Sequence, residues 1–147
     1  MDRITVGVAA GGIAGFALLY APQPVLPQIA AEYQITPGHA SLAVGVATGA
    51  VALGVMPLAL VSEVAGRRRV MLVSVVVAAV LGLALPVVPG FAMFTGLRAL
   101  QGVALAGLPA VAMAYVAEQG RVSAIGTMIA GNTFGGMTGR LVAGQFS

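Results

Sequence analysis

Charge is missing from this chain in long blocks. Ile4–Ala31, Ile35–Ser62 and Val70–Leu97 contain no charged residue, with His39 taken as neutral, and Ala99–Ala117 and Val122–Gly139 continue the pattern. A helix that spans a bilayer needs roughly 20 mainly apolar residues, and each block is near or above that length. Water is excluded as the main solvent by the same arithmetic. Only 7% of the 147 residues are charged and 59% are hydrophobic, whereas an ordinary soluble domain carries roughly 25% charged residues. The expected fold is therefore all-α, a polytopic membrane protein with spans at about 4–20, 40–60, 70–88, 91–117 and 122–147.

Composition also removes several functional classes. There is no cysteine and a single histidine, so no thiolate or histidine cluster could hold a metal. The net charge of +3 comes from seven arginines scattered among apolar blocks, which make no basic face for a nucleic acid. No lysine is present, and a nucleotide-binding loop of the G-x-x-x-x-G-K-[ST] type requires one. Paired carboxylates and Ser/His/acid groupings are absent too, so neither an enzyme nor a cofactor is implied. The opening "MDR" followed by an apolar run is read as an uncleaved first span rather than a secretory signal, because its charge is weak and more spans follow.

Orientation follows from the arginines, since cytoplasmic loops are enriched in Lys and Arg. If five spans alternate, Arg3, Arg67–Arg69 and Arg121 share one side, while the other carries Glu32 and His39. The N-terminus is then cytoplasmic. Prolines 22, 24 and 27 end or distort the first span, because proline lacks an amide donor and crowds the preceding turn. An odd number of spans running to Ser147 is the expectation for a piece of a longer transporter.

Four stretches together resemble the major facilitator superfamily, in particular its bacterial multidrug and sugar-efflux branch. In "ALVSEVAGRR", Ser62, Gly66, Arg67 and Arg68 fit the family's loop between its second and third helices, with Glu63 in place of aspartate; Ala59 and Val64 depart from it. In "RALQGVALAG", Arg98, Gln101 and Gly102 match the family's arginine motif. "GNTFGGMTGR" is similar to its glycine-rich antiporter motif, with Gly136 where proline is common and Arg140 where glycine is. "YAPQPVLPQIA", after the first span, also looks like the efflux branch. The resemblance covers the whole chain as the first five of twelve helices. It implies an inner-membrane transporter in contact with the lipid bilayer, a small-molecule substrate, protons as the coupling ion, and a C-terminal half as the missing partner. A different class stays open: a small membrane scaffold with no transport of its own.

Candidate site residues follow from this frame. Arg98 lies about two turns into the fourth span, where a cation costs about 2.5–3.5 kcal/mol; the resemblance implies a water-filled cavity and a role in coupling or anion contact with Gln101 and Gly102. Ser62, Glu63, Gly66, Arg67 and Arg68 form the expected gate loop, which Glu118 joins as a charge latch because a carboxylate at a helix C-terminus calls for a cation. The bland reading of the arginines is topogenic, through attraction to anionic headgroups. Gln23 and Asn132 are candidates for the substrate path, or else interhelical hydrogen-bonding groups worth about 0.6 kcal/mol each. Gly131, Gly135 and Gly139 recur every four residues beside Gly136, and Gly45 and Gly49 form a similar pair. Such stripes permit close helix approach, either within this bundle, for instance fifth span against first, or at the seam with a second bundle. The resemblance favours the seam. The third span, with Ser74 as its one polar residue, is expected to face lipid.

Overall fold

The computed structural model describes residues 3–119 and 122–145, and every regular element among these is a helix. The elements are α1 (Arg3–Tyr20), α2 (Leu26–Glu32), α3 (Pro37–Ala65), α4 (Arg67–Ala84), a 3₁₀ turn (Leu85–Val87), α5 (Phe91–Leu105), α6 (Gly107–Gln119) and α7 (Val122–Gly144). Arg121, the side chain of Arg3 and residues 146–147 of the fifth expected span lie outside the described residues. Three helical stretches among those described are long and apolar enough to cross a membrane: Pro37–Ala65, Arg67–Val87 and Phe91–Tyr115.

Several boundaries differ from the sequence reading, each for a local reason. The proline-rich stretch after α1 folds into the short α2, with Pro27 in its first turn, where a missing amide costs nothing. The second span begins earlier than expected, at Pro37, with Thr36 accepting a 3.2 Å hydrogen bond from the His39 amide as an N-cap. It also ends later, because Ser62 and Glu63 complete its last turns. The gate loop is thereby corrected to one residue. Gly66, at φ +90° and ψ 129°, makes the whole connection, and Arg67–Arg69 form the first turn of α4. A positive φ is cheap only for glycine. The fourth span divides at Ala106 into α5 and α6, where Pro109 removes the amide that would bond to Leu105.

Packing inverts the rule of soluble cores. The buried residues are mostly small, among them Ala40, Ala43, Ala47, Ala78, Ala106 and Ala110, while Leu53, Met56, Leu60, Val76, Val80 and Leu83 lie exposed. Between helices in lipid there is little hydrophobic driving force, so close approach through small residues supplies the contact. On α4 only Val70, Ser74 and Ala78 are buried, one residue per turn, which fits the lipid-facing position expected for it. The α5–α6 span is the central one, with more than half of its membrane-length window buried. At the end of the bundle that carries the prolines, Tyr33 packs on Phe91 and Phe94 at 6.0 and 5.9 Å between ring centres and donates a 2.9 Å hydrogen bond to the Val88 carbonyl. Burial, and then the neighbouring Glu32 carboxylate, pushes the Tyr33 pKa up, which keeps that donor protonated.

The glycine stripe of α7 lies on α1. A Cβ at Gly131 would stand 3.0 Å from the Ala9 carbonyl oxygen, at Gly135 2.2 Å from that of Ile13, and at Gly139 2.7 Å from that of Ala17. The contacts advance together by four residues, so α1 and α7 run parallel. This corrects the seam expectation for these three glycines: they serve a contact within the bundle. Gly136 is buried alongside, where a Cβ would lie 3.8 Å from the Tyr20 ring, whereas a Cβ at Gly45 or Gly49 would meet nothing within 4 Å. Replacing Gly135 by leucine in a full-length protein should therefore cost at least about 1–3 kcal/mol, because backbone cannot yield to the new side chain. Gly45→Leu should leave the stability of this bundle unchanged. Thermal unfolding of the two variants in detergent compares them directly.

Candidate functional site

The site begins with a proline. In a continuing helix the amide of residue 22 would bond to the Leu18 carbonyl, but Pro22 has none. The next amide, of Gln23, bonds to Tyr20 at 3.0 Å instead of reaching Leu19. Two carbonyls at the C-terminus of α1 are thus left without main-chain donors, at the negative end of a helix dipole. In a bilayer such groups cannot turn to water and need a protein donor.

Arg98 is that donor. Its side chain is completely buried; one terminal nitrogen donates to Leu19 at 2.5 Å, and the other donates to Leu18 at 3.4 Å and to the Gln101 amide oxygen. The other end of Gln101 donates a 2.9 Å hydrogen bond to the Ala78 carbonyl in α4. Its approach is possible because Gly82 stands in the way of nothing; a Cβ there would lie 2.9 Å from the Gln101 amide nitrogen. Gly102 completes the turn: a Cβ at this position would fall 2.2 Å from the Ala47 carbonyl oxygen of α3. Three residues of one helical turn therefore dock α5 onto three different helices. The water-filled cavity expected around Arg98 is corrected to an enclosed carbonyl cradle, in which neutral oxygens with partial negative charge stand in place of an acidic partner.

At the opposite end of the bundle, Arg67 forms an ion pair with Glu118. Arg67 sits in the first turn of α4 and Glu118 near the last residue of α6, so each opposes its own helix dipole and each offsets the other. The pair is open to solvent, with the side chains 25% and 64% exposed. Glu63, Arg68 and Arg69 are exposed and, among the described residues, form no ion pair. Ser62 is buried and donates to the Ala59 carbonyl at 2.7 Å, a contact within its own helix.

The candidate path residues separate. Asn132 lines a narrow, mainly apolar cleft with Gly12, Phe16, Leu19, Leu105 and Leu108. Gln23 lies in the link between α1 and α2, away from that cleft. A further pair went unread in the sequence: the Arg140 guanidinium lies over the Tyr20 ring, 5.0 Å from its centre. The departure from glycine at position 140 was its only signal.

Removing Arg98 should cost about 3 kcal/mol or more, as three acceptors lose a charged donor at about 1–3 kcal/mol each. Pro22→Ala supplies a new amide for Leu18, and should return about 1 kcal/mol of that loss. A double-mutant cycle on thermal stability reads the coupling; additive effects of Arg98→Ala and Pro22→Ala would contradict the cradle.

Comparison with known proteins agrees with this architecture. The family model described as Major Facilitator Superfamily matches residues 7–147. An uncharacterized MFS-type transporter of Bacillus subtilis, YybF, is 42% identical over 149 residues, covering 99% of this chain and 37% of its own length. The inner membrane transport protein YnfM of Escherichia coli is 34% identical, covering 99% of this chain and 36% of its own. The uncharacterized transporter BU588 of Buchnera aphidicola is also 34% identical, over 97% of this chain and 36% of its own. The chain thus spans little more than a third of the length of these curated relatives. No solved structure gives a significant match.

Proposed function

Since the chain belongs to the Major Facilitator Superfamily, we propose that it forms the N-terminal portion of a secondary transporter that exports a small amphipathic molecule in exchange for protons. The arginine-rich end is cytoplasmic in this reading, from the excess of Lys and Arg in cytoplasmic loops, and the membrane is a bacterial inner membrane, the location in the printed name of YnfM. Alternating access requires a second bundle around a shared midplane site. The open face of α3 at Gly45 and Gly49 is where that bundle would dock, because a glycine without a close neighbour gains nothing from its missing side chain.

The observation that carries the proposal is the contrast between the two polar clusters. Arg98 and Gln101 are buried and fasten α5 to its neighbours, whereas Arg67 and Glu118 are solvent-exposed. An exposed pair is worth about 0–1 kcal/mol, weak enough to break and reform as the cytoplasmic end opens. Arg98 acts here as a positioning residue for α1, and Arg67 with Glu118 as the latch.

Inside-out vesicles containing the full-length protein, energised to an acidic interior and offered a panel of amphipathic compounds, should release protons when a substrate is added. Arg67→Glu and Glu118→Arg should each reduce that signal about tenfold, and the double exchange should recover most of it, as expected for a charge pair. A protein that inserts normally but releases no protons with any compound would sink the exporter reading.

A further inference from the structure

Arg140 is a second cation in the apolar part of the chain, and nothing above uses it. It extends a stripe on α7 in which Asn132, Gly136 and Arg140 recur every four residues, so they share one helix face. On α1 the residues Gly12, Phe16 and Tyr20 form a matching stripe, and the two helices run parallel in contact. Asn132 lies in the cleft with Gly12 and Phe16, a Cβ at Gly136 would lie 3.8 Å from the Tyr20 ring, and Arg140 lies over that ring. Asn132, two aromatic rings 5.8 Å apart and a guanidinium therefore follow one another along the seam between α1 and α7.

The place of Arg140 follows from its neighbours. Tyr20, over which it lies, adjoins Leu19, the partner of Arg98. Arg98 is seven residues inside the start of α5 at Phe91, about 10 Å at 1.5 Å per residue. Arg140 thus lies beside the last residue of α1 and four residues before the end of α7. Stacking on Tyr20 uses the face of the guanidinium and leaves its edge free, where its N–H donors form a fork suited to a carboxylate. Arg140 is solvent-exposed, and no carboxylate among the described residues lies within ion-pair distance of it.

We propose that this face of the α1–α7 seam selects organic anions: a carboxylate meets the edge of Arg140, and an apolar or aromatic body lies along Phe16 and Tyr20. The proposal rests on the transporter reading and narrows it to a substrate class. Its test is binding, so that it can fail while transport of another compound stands, or succeed where proton release is never seen.

The full-length protein in zwitterionic lipid nanodiscs is titrated with 2-naphthoate and, as an uncharged match, 2-naphthalenemethanol, each followed by its own fluorescence. The wild type should prefer the carboxylate by about tenfold, the usual scale for one charged hydrogen-bonding pair. Arg140→Gln should abolish the preference while leaving the alcohol's affinity unchanged, and Arg140→Lys should retain part of it. The preference should persist when phosphatidylglycerol is added to the disc. Equal binding of the two compounds, no binding of either, or a preference that survives in Arg140→Gln would overturn the assignment. Loss of the preference in anionic lipid would overturn it as well, and give Arg140 to lipid phosphate.

Discussion

The bundle is organised around one problem in backbone hydrogen bonding. A helix that ends inside hydrocarbon leaves its last carbonyls without partners, and each unsatisfied group there costs several kcal/mol. Helix α1 ends in this way because Pro22 withholds an amide. The guanidinium of Arg98 is a suitable answer, since it carries donors enough for several oxygens and a charge opposite to the helix terminus. Once Arg98 is fixed, the rest of its turn is fixed with it. Gln101 must face α4 and Gly102 must face α3, and the fourth span takes the central place. An isolated arginine in a membrane is a penalty; here it is the condition for an interrupted helix.

Close packing then follows from the scarcity of other forces. Apolar side chains gain little by leaving lipid for protein, which is why leucines and valines stay on the outside of α3 and α4 while alanines and glycines fill the seams. Such seams have little tolerance. A methyl group at Gly102 or Gly135 would meet a carbonyl oxygen at 2.2 Å, so these helices are held at a separation set by backbone contact. The arginine-rich end is different in kind, because a single glycine joins α3 to α4 and an exposed ion pair joins α4 to α6.

The helical, polytopic fold class was legible from the charge-free blocks, since the exclusion of charge is a collective signal that single substitutions do not blur. A cation for Glu118 from the arginine cluster was legible, because a carboxylate at a helix C-terminus calls for one and both emerge at one end; that Arg67 opens α4 and makes the pair was not. Partners were harder. Arg98 binds main-chain oxygens, which every residue has, so no residue in α1 advertises the contact; the clue was Pro22, two positions beyond the helix it ends. The glycines of α7 signal close approach and leave its object open. What they touch is backbone at Ala9, Ile13 and Ala17, and the Ile13 side chain is partly exposed. The break at Ala106 was missed because Pro109 lies after it, within an unbroken apolar run.

The C-terminus of α1 emerges as the common element of these contacts. Leu18 and Leu19 present carbonyls to Arg98 from α5, while Tyr20 presents its ring to Arg140 from α7. The two arginines hold the terminus by different means: one through hydrogen bonds in an enclosed cradle, the other through the face of an aromatic ring at an exposed edge. A cation–π contact at an exposed site is worth about 0.5–1 kcal/mol, less than the buried hydrogen bonds of Arg98 at about 1.5–3 kcal/mol each for charged donors. Any movement at this end would therefore separate Arg140 from Tyr20 before it disturbed Arg98. Helices α1 and α7 are meanwhile locked in parallel register by three glycines, so the Tyr20 ring and the Arg140 side chain can part by rotation of side chains while both backbones stay in place. The weaker contact is thus the adjustable one, and it lies at the end of α1.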